Sequence, residues 1–101
     1  MAEYVATIID GESGGEGRYD FEGPDDLLNQ TPVRVVRTFM EHVDKDLFPR
    51  QLVDYELNAA FKSPHKQLGS VITAMGIMIF EADPEHDRFA FMMMINKKRG
   101  E

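Results

Sequence analysis

The order of apolar and polar residues predicts two short strands at the start of the chain. Residues 4–9 read Tyr-Val-Ala-Thr-Ile-Ile, a β-branched and aromatic run with no glycine or proline. Residues 18–22 alternate, which places Tyr19 and Phe21 on one side of a strand. The intervening residues 10–17 contain four glycines, which suit the tip of a turn. The pattern therefore predicts a β-hairpin.

The next apolar residues recur at helical spacing, after a turn at residues 23–26. Thr31 is a suitable N-cap residue and Pro32 suits the first helical position. Pro49 is expected to end the helix near Phe48. The predicted apolar stripe consists of Val33, Val36, Phe39, Met40, Val43 and Leu47.

Three further strands follow the predicted helix. Residues 53–61 alternate, residues 68–80 form a long apolar run, and residues 89–96 are again apolar. Turns are expected at residues 63–65 and 83–87. The order β-β-α-β-β-β predicts one α+β domain over residues 1–101, with a five-stranded, mainly antiparallel sheet. One long helix is expected to pack on one face of this sheet, in a β-grasp-like arrangement.

Two assumed hairpin registers assign the later strand residues to faces. Phe61 is set opposite Leu68 and Phe80 opposite Phe89, and residues opposite each other share a face. We assign one face to the helix, because the small residues Ala74 and Gly76 would let a helix approach closely. This face contains Val53, Tyr55, Leu57, Ala59, Phe61, Leu68, Ile72, Ala74, Gly76, Met78, Phe80, Phe89, Phe91, Met93 and Ile95.

The opposite face of the last two strands is also apolar, and a single helix does not cover both. The N-terminal hairpin or a loop could fold over it, or a register error of one residue could exchange the faces. An uncovered apolar face of this extent is typical of an interface, which we favour. The candidate interface residues are Val71, Thr73, Met75, Ile77, Ile79, Met92 and Met94.

Composition narrows the classes of partner. The chain has no cysteine, which excludes disulfides and thiolate sites and favours a cytoplasmic location. The formal net charge of −7 disfavours nucleic acid as a partner, although three basic residues, 97–99, lie together near the end. No apolar run reaches the length of a membrane span, and the first residues do not resemble a signal peptide.

Candidate chemistry is sparse. The glycine-rich residues 11–17 contain acidic side chains and precede a strand, unlike a phosphate-binding loop. His42 and Asp46 are spaced to pair on a helix, and Asp54 and Glu56 share one side of a strand. Neither pair has an evident pocket, and the acidic turn at 83–87 lacks the spacing of a known cation loop. We therefore expect no catalytic residue, no metal site and no cofactor.

Two functions are compatible with this pattern. We expect a non-enzymatic protein-interaction or self-association module, most simply a homodimer, or otherwise a module that binds a protein partner. The alternative is a small enzyme or ligand-binding domain with a pocket on the sheet face, near Asp54, Glu56 and Thr73.

Overall fold

A computed structural model of the chain describes five ranges of residues: 1–10, 16–42, 52–66, 69–80 and 87–98. In chain order the elements are strand β1 (Ala2–Asp10), strand β2 (Glu16–Gly23), a 3-10 helix (Leu27–Asn29), helix α1 (Pro32–His42), and strands β3 (Leu52–His65), β4 (Gly69–Phe80) and β5 (Asp87–Lys97). None of the helices within these ranges is long and apolar enough to cross a membrane.

The five strands form one sheet in the order β2-β1-β5-β4-β3. Every neighbouring pair is antiparallel, which confirms the predicted α+β class with an antiparallel sheet. Strand β1 pairs with β5, and the Lys98 N–H extends this ladder by donating to the Glu3 carbonyl oxygen at 2.9 Å. The N-terminal hairpin therefore widens the sheet beside β5, and the alternative that it folds over β5 is wrong.

One face of the sheet, here called the inner face, carries the buried cluster. Alternate residues of the three interior strands, β1, β5 and β4, point into it, because side chains on a strand alternate between faces. Helix α1 contributes to the same cluster through four buried side chains. The cluster includes Tyr4, Ala6, Ile8, Phe21, Leu27, Val35, Val36, Phe39, Met40, Ile72, Ala74, Met78, Phe91, Met93 and Ile95.

The buried stripe of α1 differs from the predicted one at its start. Val33 is 49% exposed, whereas Val35 is fully buried. The stripe thus begins with a Val35–Val36 pair and continues through Phe39 and Met40, still at the spacing of three and four residues. Val33 lies in the first turn of α1. Compared with the predicted stripe, the helix is oriented so that this side chain faces water. The predicted stripe residues Val43 and Leu47 lie outside the described residues.

Helix α1 starts where the sequence predicts, with Thr31 before it and Pro32 as its first residue. The helix begins at Pro32, and the Val35 N–H donates to the Thr31 carbonyl oxygen at 3.1 Å. That bond is the first of the helical ladder, so Thr31 occupies the N-cap position.

An aromatic group joins the hairpin to the helix. The ring of Phe21 lies 5.7 Å from that of Tyr4 and 5.1 Å from that of Phe39, measured between centroids. Edge-on and tilted contacts of this kind add to the area that the rings bury. The Tyr4 hydroxyl donates to the Pro24 carbonyl oxygen, and burial raises the pKa of this phenol. The group therefore links the hairpin to α1, and it holds Pro24, just after β2, against β1.

The register between β4 and β5 differs from the assumed one by two residues. Phe80 pairs with Asp87 rather than with Phe89, and Gly76 pairs with Phe91. Strand β5 therefore begins earlier than expected. Because the side-chain period of a strand is two residues, this shift leaves every side chain on its predicted face.

Strand β3 changes phase in its middle, which corrects two face assignments. Leu57 pairs with Gly76 and Ala59 with Met75, so Asn58 is an extra residue in a β-bulge. Beyond the bulge the alternation reverses. Ala59 and Phe61, predicted on the inner face, therefore lie on the opposite face, and Ala60 packs against the core instead.

Gly76 permits this bulge. A Cβ atom at position 76 would overlap the carbonyl oxygen of Glu56 and would lie 3.1 Å from the Cα of Leu57. The small residue is thus required by the backbone of the neighbouring strand β3, a requirement that the argument from helix packing did not include.

The predicted turn at residues 63–65 is also corrected. Strand β3 continues through Ser63 and Pro64 to His65, which pairs with Gly69. Proline is tolerated there because β3 is an edge strand, where one side of the backbone needs no hydrogen-bond donor.

We predict that Met40→Ala destabilises the fold by about 2–5 kcal/mol, since it leaves a cavity in the buried cluster. Chemical denaturation monitored by circular dichroism measures this loss. Val33→Ala, on the exposed side of the same helix, is the control and should change the free energy of unfolding by less than about 0.5 kcal/mol. Equal effects of the two substitutions would contradict the observed rotation of α1.

We also predict that Gly76→Ala costs about 2 kcal/mol or more, because its methyl group has to displace the β3 backbone. Gly69→Ala is the comparison. Gly69 has φ of +78°, and no atom lies within 4 Å of the position that a methyl group would occupy there. Its cost should therefore be only the roughly 1 kcal/mol of left-handed backbone strain. The free energy of unfolding of each variant is measured in the same way. A smaller loss of stability for Gly76→Ala than for Gly69→Ala would refute the close approach of the β3 backbone to position 76.

Candidate functional site

The face opposite the buried cluster, here called the outer face, carries a group of exposed apolar side chains. Ile9, Met92 and Met75 are direct neighbours across β1, β5 and β4. In the adjacent row Met94 pairs with Thr73, which pairs with Phe61 on β3. These rows define what we call the outer patch: Ile9, Phe61, Met75, Met92 and Met94, each 38–47% exposed.

The seven candidate interface residues all lie on the outer face, but they differ in exposure. Met75, Met92 and Met94 are exposed, whereas Thr73 and Ile77 are half-buried. Val71 and Ile79 are buried, so they support the patch from its edges and contribute almost no accessible surface.

Two members of the outer patch were absent from the predicted set. Phe61 reaches the outer face through the bulge at Asn58. The signal for it was present in the sequence, since an isolated glycine within a strand, here Gly76, is typical of a bulge or a close backbone approach. Ile9 was missed because both faces of β1 are apolar, and its face becomes evident only from its pairing with Met92.

One end of the outer patch is bordered by an ion pair. Arg88 Nη1 lies 3.9 Å from Glu56 Oε1. The pair bridges β5 and β3 across the intervening strand, between the positions of Ile77 and Ile79. The long arginine stem in this position helps to explain why Ile79 is shielded from water.

The other end is bordered by a cluster of four charged residues. Lys98 Nζ lies 3.0 Å from Asp20 Oδ2 and 3.8 Å from Glu3 Oε2. Arg18 Nε lies 3.7 Å from Asp20 Oδ1. The hydrogen bond from Lys98 lowers the pKa of Asp20, and the same bond raises the pKa of Lys98. Lys98, one of the three basic residues near the end of the sequence, thus joins β5 to the hairpin.

Of the two acid–base pairs considered from the sequence, the structure describes the side chains of Asp54 and Glu56. Asp54 and Glu56 are both exposed, so neither carboxylate is desolvated as an acid–base catalyst would require. Within the described ranges there is no buried polar or charged residue and no group of three possible metal ligands of the His, Asp or Glu type. The His42 side chain, Asp46 and residues 83–86 lie outside what the structure describes.

No family model, no curated protein and no solved structure matches this chain. The β-grasp-like arrangement suggested by the order of elements therefore stays a prediction.

We predict that Lys98→Met returns the pKa of Asp20 toward its ordinary value of 3.8, because the hydrogen bond that stabilises the carboxylate is removed. An NMR titration of the Asp20 carboxyl carbon measures this, and Lys97→Met is the control that should leave the Asp20 pKa unchanged. A pKa lowered in the folded chain adds stability above pH 3.8 that is lost as the pH falls through the folded value. An Asp20 pKa that is indifferent to Lys98→Met would contradict the pairing.

Proposed function

We propose that this chain is a self-association module that forms a homodimer through the outer patch. The observation that carries the proposal is the grouping of five large apolar side chains, each more than a third exposed, on one face of the sheet. Exposed apolar residues scattered singly are ordinary, but a contiguous group in the middle of a sheet is typical of an interface.

The remainder of the described chain offers no cover for this patch. The hairpin extends the sheet sideways, and the buried side chains of α1 belong to the inner cluster. A partner on the outer face would complete a layered arrangement in which both apolar faces of the sheet are buried.

Association through the edges of the sheet is disfavoured. The edge strand β2 carries Arg18, Asp20 and Glu22 on the outer side. The other edge strand, β3, has register shifts near Asn58 and at its start, and it contains Pro64. Charges, bulges and proline are the features that prevent edge-to-edge pairing. The faces therefore remain as the surface for assembly.

The dimensions of the outer face suit a second copy of the chain. Five strands about 4.8 Å apart, with eleven residues in β5 rising about 3.3 Å each, span about 870 Å². This is close to the area that each partner contributes to a stable interface. Strand β5 lies at the centre of the sheet, so a two-fold axis between the sheets can bring Met92 and Met94 against their own counterparts.

The charges around the patch are also compatible with self-association. The Arg88–Glu56 pair at one end and the Lys98–Asp20 pair at the other each contain both signs. A two-fold rotation therefore brings no purely acidic border onto another, despite the net charge of −7.

Two further expectations from the sequence accompany this proposal, one about the helix and one about location. We keep the expectation that the helix packs along the inner face in a β-grasp-like way. We also keep the cytoplasm as the location, which rests on the absence of cysteine from the sequence.

The proposal predicts that Met92→Glu converts a dimer into a monomer, because the charge would be buried twice near the two-fold axis. Sedimentation equilibrium over a range of protein concentrations measures the mass, which should rise from 11.5 kDa toward twice that value in the wild type but not in Met92→Glu. Circular dichroism should show that the variant stays folded, since Met92 is 42% exposed in the single chain.

Val33→Glu is the matched control, because Val33 is 49% exposed but lies on the helix and outside the outer patch. It should leave the dimer intact. Phe61→Lys provides a second variant within the patch and should also weaken the dimer. A wild-type chain that stays monomeric at the highest concentration would refute the homodimer, as would dissociation caused by Val33→Glu.

A further inference from the structure

We propose that Met75, Met92 and Met94 form an oxidation site, and that their conversion to methionine sulfoxides dissociates the homodimer. This inference rests on the function proposed above, because it concerns regulation of the same surface. It adds that the methionine side chains of this surface are modified covalently, which reagent modifies them, and how the dimer responds. The reagent is a peroxide, and the response is a shift from dimer to monomer.

The three thioethers are neighbours at the centre of the outer patch. Met75 and Met92 are directly opposite each other on β4 and β5, and Met94 follows two residues along the same side of β5. Side chains opposite each other on antiparallel strands have Cβ atoms about 5 Å apart, and those two residues apart on one strand about 7 Å. The three sulfur atoms therefore share one continuous part of the surface.

Exposure separates these methionines from the others in the sheet and helix. Met75, Met92 and Met94 are 38–42% exposed in the single chain, whereas Met40, Met78 and Met93 are at most 7% exposed. Met93 is a useful internal comparison, since it lies between two patch methionines in sequence yet points into the buried cluster. Accessibility governs the rate of thioether oxidation, so one chain holds a reactive and a protected set.

The modification itself is a two-electron oxygen transfer. The sulfur lone pair attacks one oxygen of hydrogen peroxide, the O–O bond breaks, and the sulfur is oxidised to a sulfoxide. The second oxygen leaves as hydroxide, and the proton on the sulfur-bound oxygen passes through solvent water to it, which gives the sulfoxide and one water molecule. No protein group needs to take part, because exposure alone decides which thioethers react.

A sulfoxide changes the surface from apolar to strongly hydrogen-bond accepting. In the free chain water satisfies the new oxygen, but in a dimer the oxygen would be buried against another apolar patch without a donor. Each oxidised residue occurs twice in a symmetric dimer. Oxidation and association are therefore linked in both directions: oxidation weakens the dimer, and the dimer protects the thioethers from oxidation.

The experiment treats the wild-type chain with hydrogen peroxide at low and at high protein concentration. Peptide mapping by mass spectrometry follows each methionine separately, and sedimentation equilibrium then measures the dimer dissociation constant. Met1 is 78% exposed and lies outside the outer patch, so its rate is an internal reference. A triple variant, Met75→Leu/Met92→Leu/Met94→Leu, keeps the patch apolar but removes its thioethers, and Met93→Leu is the matched single control.

We expect the three patch methionines to be oxidised before Met78 and Met93. Their rates relative to Met1 should fall as the protein concentration rises. Full oxidation should raise the dissociation constant by about a hundredfold or more, since several unpaired oxygens are buried at once. The triple variant should stay dimeric in peroxide, while Met93→Leu should respond as the wild type does.

The outcomes separate this inference from the proposed function. An untreated wild-type chain that never dimerises refutes both. A chain that dimerises but keeps its dissociation constant after all three sites are oxidised refutes the oxidation site alone. The same conclusion follows if the patch methionines react no faster than Met93, or if peroxide dissociates the triple variant.

Discussion

Strand β5 is apolar on both of its sides, and it lies at the centre of the sheet. Phe91, Met93 and Ile95 point into the buried cluster, while Met92 and Met94 point the other way and remain exposed. A half-buried strand in an antiparallel sheet normally alternates between apolar and polar residues. Apolar residues on both sides are instead typical of a strand that is covered twice. Side chains of α1 join the buried cluster on one side, and the proposed dimer covers the other.

The outer patch depends on a detail of the backbone as much as on composition. The bulge at Asn58 reverses the phase of β3, and Gly76 leaves room for the backbone that the bulge pushes toward β4. Without that reversal Phe61 would point to the inner face and the patch would stop at β4. The same bulge disturbs the hydrogen-bonding edge of β3 and so discourages pairing with another strand. The bulge in β3 therefore extends the outer patch onto this strand and also protects its free edge from pairing with another strand.

Much of the architecture could be predicted from the sequence because its signals were local. The hairpin residues 4–9 and 18–22, the helix start at Thr31 and Pro32, and the class of the fold follow from alternation, turn residues and capping. The faces of β4 and β5 were also correct, since an error of two residues in register leaves the faces unchanged.

The remaining differences between the predicted and the observed structure came from features that the alternation of apolar and polar residues does not reveal. The bulge in β3 moved Ala59 and Phe61, and the edge position of β3 allowed Pro64 to stay within a strand. The orientation of the first turn of α1 exposed Val33, because the position of the helix is set by the packing of Phe39 against the hairpin. These outcomes depend on tertiary contacts, which a single sequence read by periodicity does not contain.

Isotope-filtered NOE measurements test whether a second copy of the chain covers the outer face. The sample would mix chains carrying ¹³C-labelled methionine methyl groups with unlabelled chains, at a concentration where the mass is that of a dimer. A dimer formed through the outer patch gives intermolecular NOEs to the methyl groups of Met92 and Met94, and none to those of Met78 and Met93. Intermolecular NOEs that instead involve α1 or the edge strands, with none to Met92 or Met94, would refute this interface.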